Sequence, residues 1–248
     1  GTVYDLAGVE AAAALGARRV VLARELSHTE IRSIADRISI ELEVFVHGAL
    51  CQCYSGQCHL SAAIGGRSGN RGTCAQPCRL PYTLLRSDKP GATTDNAAGK
   101  IVASGYLLSP KDLNLLSQVD KLAESGVASL KIEGRMKTPE YVALVTAAYR
   151  KYLDAYAVDG RSRPVDPSDQ RELAQIFNRG GFTTGYFLGD PGPELITRER
   201  PKHAGTYLGA VVGGDPGKRR VRIRLEAPLA LGDGIEIDCE GLPGNVVT

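Results

Sequence analysis

The fold is decided by residues 19–47, which read RVVLARELSHTEIRSIADRISIELEVFVH. The apolar run at residues 19–23 predicts a short buried strand. Ser27 followed by Glu30 is a capping box, which predicts that a helix begins there. Residues 41–47 are rich in β-branched and aromatic side chains and predict a second strand. A strand, a helix and another strand in this order predict a parallel βα unit.

The same alternation continues on both sides of this unit. Helices are predicted at residues 5–15, 109–124 and 138–156, and a third strand at residues 127–132. A long loop, residues 48–105, interrupts the alternation after the second strand. Three strands cannot close a barrel, so one interpretation is a minimal open α/β sheet. Because the chain begins abruptly at Gly1, we expect a fragment that holds the C-terminal part of a (β/α)8 TIM-like barrel.

The rest of the chain has a different pattern. Residues 161–202 are predicted to be a linker with a short helix. From residue 203 the apolar period changes to two, which predicts a small antiparallel β-barrel-like domain, truncated at residue 248. The predicted domains are therefore the partial barrel at 1–160, the linker, and the β-domain at 203–248.

The composition is that of an ordinary globular protein, with 43% hydrophobic and 23% charged residues. A net charge of +2 is too small to indicate a nucleic-acid-binding protein by itself. We expect no membrane span and no signal peptide. Dense clustering of cysteines, rather than an even spread along the chain, favours metal or redox chemistry and a cytoplasmic location over a secreted disulfide framework.

Five of the six cysteines lie between positions 51 and 78 of the long loop. Four thiolates can hold zinc or an iron–sulfur cluster, and the candidate ligands are Cys51, Cys58, Cys74 and Cys78. Zinc sites usually use closely paired cysteines, and only the last two of these are close, so the spacing favours a cubane cluster. Cys53 is an extra candidate. Buried structural cysteines are the third possibility.

Charged side chains follow each of the three predicted strands. They are Arg24 and Glu25, then His47, then Lys131, Glu133 and Arg135. In a barrel these strand ends meet at one mouth, so we expect the charges to surround the cysteine loop. Lys131 and Arg135 could clamp a phosphate or carboxylate, and Glu133 or His47 could carry protons. A network of structural ion pairs is the alternative interpretation.

Arginines elsewhere in the chain also have two interpretations. Arg71 and Arg79 flank the cysteines and could orient a substrate or offset thiolate charge. Alternation of Arg220, Arg222 and Arg224 with apolar residues predicts one basic strand face, which could lie on RNA phosphates. A solvated sheet face would have the same pattern.

Several longer motifs resemble the peptidase U32 family. They are EVFVHGALC at residues 43–51, YSGQC at 54–58, NRGTCAQPCR at 70–79 and SLKIEGRMK at 129–137. The resemblance runs from about residue 5 to residue 157. It implies a (β/α)8 barrel whose first five strands precede Gly1, and a [4Fe–4S] cluster on four cysteines.

The ligand set that the resemblance implies has one departure from the family pattern. In several relatives a Ser-x-Lys-Asp-Leu motif is followed by a cysteine ligand, whereas residues 109–114 here read SPKDLN. The implied fourth ligand is therefore Cys78, with Cys53 as a spare candidate.

Members of this family hydroxylate RNA or ubiquinone precursors without molecular oxygen, and some tRNA-modifying members use prephenate as the apparent oxygen source. Residues 182–186 and 201–205 and the β-domain resemble the long members, one of which hydroxylates a cytidine of large-subunit ribosomal RNA. The resemblance implies iron–sulfur-dependent hydroxylation of a pyrimidine base in ribosomal RNA or tRNA. A collagenase-like peptidase, a ubiquinone-precursor hydroxylase and a structural metal module that only binds RNA are the alternatives; no hydrolytic motif such as HExxH is present.

Overall fold

The structure is a computed structural model that describes residues 2–87, 93, 99–198, 200–239 and 242–247. The chain divides into two compact units, Gly1–Gly205 and Thr206–Thr248. The helices of the first unit are α1 (Leu6–Ala14), α2 (His28–Ala35), α3 (Leu60–Gly65), α4 (Val119–Glu124), α5 (Pro139–Asp159) and α6 (Pro167–Ile176). Its strands are β1 (Arg19–Val21), β2 (Glu41–Ala49), β3 (Tyr82–Arg86), β4 (Lys100–Gly105), β5 (Asp112–Asn114), β6 (Ser129–Ile132) and β7 (Phe182–Thr183).

The helix starts predicted for α2 and α5 are confirmed. Ser27 caps α2, and the Glu30 carboxylate accepts a hydrogen bond from the Ser27 backbone amide at 2.8 Å. Thr138 caps α5, with Pro139 at the first helical position. Both caps satisfy amides that have no partner inside the helix, so each helix begins at a defined residue.

The helices pack around one five-stranded sheet. Strand β2 pairs in parallel with β1 and β6, which confirms the predicted parallel βα arrangement of these three strands. It also pairs antiparallel with β5, and β5 pairs in parallel with β7. Among the described residues these five strands form an open sheet rather than a closed barrel. The (β/α)8 barrel remains a prediction.

The helix predicted over residues 109–124 is wrong in its first half. Residues 112–114 form β5, a short 3-10 helix follows at Leu116–Gln118, and only α4 is α-helical. All three residues of β5 are buried, and the Leu115 amide donates to the Val46 carbonyl at 3.0 Å. Pairing with β2 therefore overrides the local helical pattern.

The loop 48–105 is more ordered than expected, and α6 confirms the short helix predicted within residues 161–202. The loop 48–105 contains α3 and a hairpin of β3 and β4. Residues 161–202 pack within the first unit, where α6 lies against α5 and Leu173 is fully buried. Lys151 of α5 contacts Asp169 of α6 at 2.7 Å.

The core lies between the sheet and the helices. Leu42, Val44 and Val46 of β2 are buried against apolar residues of the helices, among them Val145 of α5. Beyond them, Gly48 has a φ of +102°, and a side-chain carbon there would lie 2.4 Å from the Glu133 carbonyl oxygen. Only glycine allows this approach, which places the end of β2 against the residue that follows β6.

The second unit contains two antiparallel hairpins. One joins β8 (Gly209–Asp215) to β9 (Arg220–Leu225), and the other joins β10 (Ile235–Cys239) to β11 (Leu242–Val247). These strands agree with the period of two in the sequence. In the part of the chain that the structure describes, no helix has both the length and the apolar composition needed to cross a membrane.

Candidate functional site

The cysteine loop begins where β2 ends. Cys51 and Cys74 are exposed, whereas Cys58 and Cys78 are partly buried. Burial raises the pKa of the Cys78 thiol; neighbouring Arg79 lowers it, and the thiols of Cys74, Cys51 and Cys58 raise it further. The fold therefore brings the four predicted ligands within electrostatic range of one another.

Cys53 belongs to the same group of thiols. Its pKa is raised by burial first, and then by the charge and the hydrogen bond of Cys58, with a smaller contribution from Cys51. Cys53 thus lies beside two of the predicted ligands, and the choice of Cys78 over Cys53 as the fourth ligand remains a prediction.

One backbone amide of the loop points at a cysteine sulfur. Gln76 adopts a φ of +58°, and its amide donates to Cys74 Sγ at 3.2 Å. The Ser61 hydroxyl accepts from the Ala75 amide at 3.0 Å, and the Tyr82 hydroxyl donates to the Pro77 carbonyl at 2.8 Å. A donor aimed at sulfur stabilises a thiolate ligand and tunes a bound metal centre.

Arg24 connects the thiols to the charged strand ends. Its guanidinium lies 3.8 Å from Cys51 Sγ and 3.7 Å from a carboxylate oxygen of Glu133. The same group stacks 3.7 Å from the centre of the Phe45 ring, which holds it in place. Arg24 and Glu133, predicted from separate strands, are therefore neighbours at the loop.

Two further predicted residues hold the loop itself. The Glu25 carboxylate accepts from the backbone amide and the hydroxyl of Ser55, at 2.8 and 3.0 Å. Arg135 donates from its side chain to the Gly72 carbonyl at 2.7 Å, and its amide donates to the Glu133 carboxylate at 2.9 Å. Each of these contacts ties the loop to the end of β1 or β6.

Lys131 points to a different neighbour. Its ammonium lies 2.9 Å from the Glu43 carboxylate, which also accepts from the Ser129 hydroxyl and lies 3.4 Å from Arg19. The Lys131 hydrogen bond lowers the pKa of Glu43 most. Lys131 is thus paired on the sheet rather than placed against the cysteines. Arg71, also predicted to bind substrate, is exposed.

His47 does not reach the predicted mouth, and this expectation is corrected. The pairing of β2 with β6 shifts register between Phe45 and His47, which turns the imidazole into the core. There it is 1% exposed and packs against the rings of Tyr141, Tyr149 and Phe182. Burial lowers the His47 pKa to about 4, so the ring is neutral and far from solvent.

Arg79 is a buried tie between loop and sheet rather than an exposed substrate contact. Its guanidinium donates to the Ser109 hydroxyl at 2.8 Å, to the Leu50 carbonyl at 3.3 Å and to the Pro110 carbonyl. Burial, and after it the nearby charge of Arg179, lower the pKa of Arg79 to about 10. Leu50 directly precedes Cys51, so Arg79 joins the two ends of the cysteine segment.

Three charged neighbours of Arg79 escaped the sequence reasoning. Asp112 is 1% exposed and accepts from the Arg179 guanidinium at 2.6 Å. The ammonium of Lys137 lies 2.7 Å from the centre of the Phe177 ring, and its pKa is lowered to about 8 by burial and then by Arg179. Burial raises the pKa of Asp112, against the attraction of Arg179 and Arg79.

One signal could have identified Arg179. It precedes two glycines, and Gly180 has a φ of +69°, where a side-chain carbon would lie 2.1 Å from Thr197 Oγ1. An arginine held by so tight a turn is more constrained than a loop arginine. Asp112 lies within the motif at 109–114. Because this motif was interpreted as the start of a helix, the burial of Asp112 was not expected.

The donor set of the loop fits a thiolate-bound metal group. Five thiols share one glycine-rich segment, with an amide and a guanidinium directed at two of them. Soft sulfur donors select iron–sulfur clusters or zinc. Within the described ranges, no group of three or more His, Cys, Asp or Glu side chains is arranged to hold a single metal ion.

The sequence matches a known family. Residues 1–197 match the model of peptidase family U32, and the chain therefore belongs to that family. It is 40% identical over 223 residues to tRNA hydroxylation protein P1 of Bacillus subtilis, covering 89% of this chain and 52% of the relative. It is 38% identical over 246 residues to 23S rRNA 5-hydroxycytidine C2501 synthase of Escherichia coli, covering 95% and 36%.

A third relative is named for a different activity. The chain is 38% identical over 181 residues to a collagenase of Porphyromonas gingivalis, covering 68% of this chain and 42% of the relative. The chain thus spans about half or less of the length of these relatives. No solved structure matches it significantly.

Proposed function

We propose that this chain is part of an RNA-modifying hydroxylase of the U32 family, which hydroxylates a pyrimidine base in tRNA or ribosomal RNA without molecular oxygen. A [4Fe–4S] cluster on Cys51, Cys58, Cys74 and Cys78 is part of the proposal. The observation that carries it is the contact of Arg24 with both Cys51 and Glu133, at the edge of the sheet where the loop with the other three cysteines begins. Two relatives named for RNA hydroxylation support the substrate class.

The residues around the loop suggest a division of roles. The cluster would supply electron transfer or substrate activation. Arg24 and Arg135, at the same edge, would orient an anionic substrate group, because a guanidinium recognises phosphate and carboxylate through paired hydrogen bonds. Glu133 would move a proton, since it is partly exposed, whereas His47 is sealed in the core. Prephenate as the oxygen donor remains a prediction.

A collagen-degrading peptidase is the second candidate, and the 38% identity to a collagenase favours it. Cleavage of denatured collagen by the purified, metal-free chain would support this candidate. Loss of that cleavage after removal of a contaminating protease would count against it. Hydroxylation of a ubiquinone precursor and the (β/α)8 barrel remain predictions.

Metal content tests the cluster directly. We expect the chain, purified without oxygen, to absorb visible light and to hold iron and sulfide in equal amounts. Cys58→Ser and Cys78→Ser should remove most of the iron, whereas Cys53→Ser should keep it. The Cys53 variant is a matched control because its thiol lies beside Cys58. If Cys53→Ser loses iron and Cys78→Ser keeps it, the ligand assignment is wrong; bound zinc without iron would refute the redox centre.

The activity itself is tested by mass spectrometry of nucleosides from RNA incubated with the iron-loaded protein. We expect an added oxygen on a pyrimidine, and at least a tenfold lower rate for Glu133→Gln if that carboxylate moves the proton. An unchanged rate for Glu133→Gln would remove this residue from the proposal. Loaded protein that modifies neither tRNA nor ribosomal RNA would contradict the RNA hydroxylase as a whole.

The second unit offers a separate RNA contact. Arg220, Arg222 and Arg224 are exposed on β9, opposite Asp215, Gly213 and Ala210 of β8. Two small residues in that register leave the arginines uncovered, which suits phosphate contacts that do not read sequence.

Salt dependence of RNA binding tests this contact. Arg222→Gln together with Arg224→Gln should weaken binding to all RNAs and lower the salt slope by about two, one for each lost phosphate contact. Arg37→Gln, an exposed arginine of the first unit, is the control. Equal slopes for the double variant and the control would show that β9 is only a solvated face.

A further inference from the structure

A group of charges beside the cysteine loop has an excess of cations; Arg79, Arg179 and Asp112 are buried and Lys137 is partly buried. The three cations act on the Asp112 carboxylate, and Lys137 is also attracted by Glu133, which pairs with Arg24. Only one close ion pair joins them, between Arg179 and Asp112 at 2.6 Å. In the described ranges no carboxylate lies within salt-bridge distance of Arg79 or Lys137. Burying unpaired charge is costly, so such an excess requires compensation by a nearby anion.

The backbone directs Lys137 into this group at a cost. Met136, the preceding residue, has a φ of +60°, which is rare for a residue with a side chain, and its own side chain is 95% exposed. The turn places the Lys137 ammonium over the Phe177 ring instead of in solvent. Strain of this kind is usually retained for function.

Arg79 lies next to the cysteines. It follows Cys78 in the chain and donates to the carbonyl of Leu50, the residue before Cys51. It also donates to the carbonyl of Pro110, two residues before Asp112. Arg179 pairs with Asp112 and lies 4.9 Å from the centre of the Phe177 ring, which Lys137 also contacts. Arg79 therefore links this group of charges to the cysteine loop.

We propose that Arg79, Arg179, Lys137 and Asp112 form a counter-charge network that stabilises the thiolate ligands and sets the reduction potential of the cluster they hold. This inference rests on the proposed iron–sulfur site. A cluster on four thiolates is negatively charged and becomes more negative on reduction, so nearby cations stabilise the reduced state more. The network would raise the potential and slow the loss of iron.

Two near-isosteric substitutions test the network with opposite signs. Lys137→Met removes a cation, so we expect a more negative reduction potential and several-fold faster iron loss to a chelator. Asp112→Asn removes the one anion, so we expect a less negative potential. Lys151→Met, the same chemical change at an exposed lysine of α5, should change neither quantity. The potential is measured by anaerobic redox titration of the iron-loaded chain, and thermal unfolding checks the fold.

A purely structural role predicts different results. Shifts of the potential in the same direction for Lys137→Met and Asp112→Asn, or no shift in either, would overturn the inference. If Asp112→Asn does not fold, Lys137→Arg is the second test of the network. Arginine keeps the positive charge, so this variant should keep the native reduction potential, whereas Lys137→Met should not. A native chain that binds neither iron nor sulfide would overturn the proposed function as well, whereas an iron-loaded chain with unmoved potentials overturns the network alone.

Discussion

Two groups of charged residues lie on the same sheet and differ in exposure and balance. On one, Glu43 contacts Lys131 and Arg19; the lysine and arginine side chains are 42% and 47% exposed. In the other, Asp112 contacts Arg179, and these side chains are only 2% and 10% exposed. In the first group the two cations are exposed, Glu43 is 12% exposed, and Arg19 has a second partner in Glu41. In the second group Arg79, Arg179 and Asp112 are buried and Lys137 is partly buried, and the cations outnumber the carboxylate of Asp112.

The difference in burial determines how much each ion pair affects the stability of the fold. Water and mobile ions screen an exposed pair, so it contributes about 0–1 kcal/mol to stability. A buried ion has lost its hydration, so removal of its partner costs several kcal/mol. Buried, unbalanced charge is therefore poor as a device for stability. The task that we propose for it is compensation of the charge of the cysteine ligands.

The largest expected effect comes from Asp112→Ala. It removes the only carboxylate of the network and leaves the Arg179 guanidinium buried without its partner. We expect the free energy of unfolding to fall by about 3–5 kcal/mol, measured by urea denaturation. Glu43→Ala is the matched control in the exposed group. A cost below about 1 kcal/mol for Asp112→Ala would show that the interior is wetter than the burial indicates.

A buried group without any ion pair sharpens the comparison. The pKa of His47 is lowered to about 4 by burial, below the ordinary value of 6.5, and neither ring nitrogen has a hydrogen-bond partner in the part of the chain described. As the pH falls from about 6.5 towards 4, His47 becomes protonated in the unfolded chain, whereas it stays neutral in the folded protein. The free energy of unfolding should fall by about 3 kcal/mol over this window and be unaffected by His47 above it.

The measurement for His47 is the pH dependence of urea unfolding. His47→Leu removes the imidazole from its setting among Tyr141, Tyr149 and Phe182, so its stability should change less between pH 7 and pH 4. Carboxylates that titrate near pH 4 are common to both proteins and cancel in the difference. Parallel pH curves would mean that protonated His47 is accommodated in the fold.

The smallest expected effect belongs to the exposed group. Lys131→Met removes the closest cation from Glu43 but leaves Arg19 and the Ser129 hydroxyl in place. We expect a loss of about 0–1 kcal/mol, and less at high salt, measured by thermal unfolding. A loss above about 2 kcal/mol would show that this face is not open to water, for instance because another part of the protein covers it.

Particular residues show how far the sequence alone could reach. The capping box of α2, the Thr138 cap of α5 and the strand runs of β1 and β2 are local, and their prediction was correct because neighbouring residues decide them. The motif cysteines were found from spacing and composition. Strand β5 was missed because its conformation depends on residues distant in the chain. It pairs with β2, and its residue Asp112 pairs with Arg179.

The alternating elements, the family and the cysteine loop follow from contiguous motifs of the chain. Which charges lie together depends on the three-dimensional fold. It turned His47 into the core through a register shift, paired Lys131 with Glu43, and gathered Arg79, Asp112, Lys137 and Arg179 from four separate segments. The physical reason is that burial and long-range proximity, rather than residue type, set the energy of a charge.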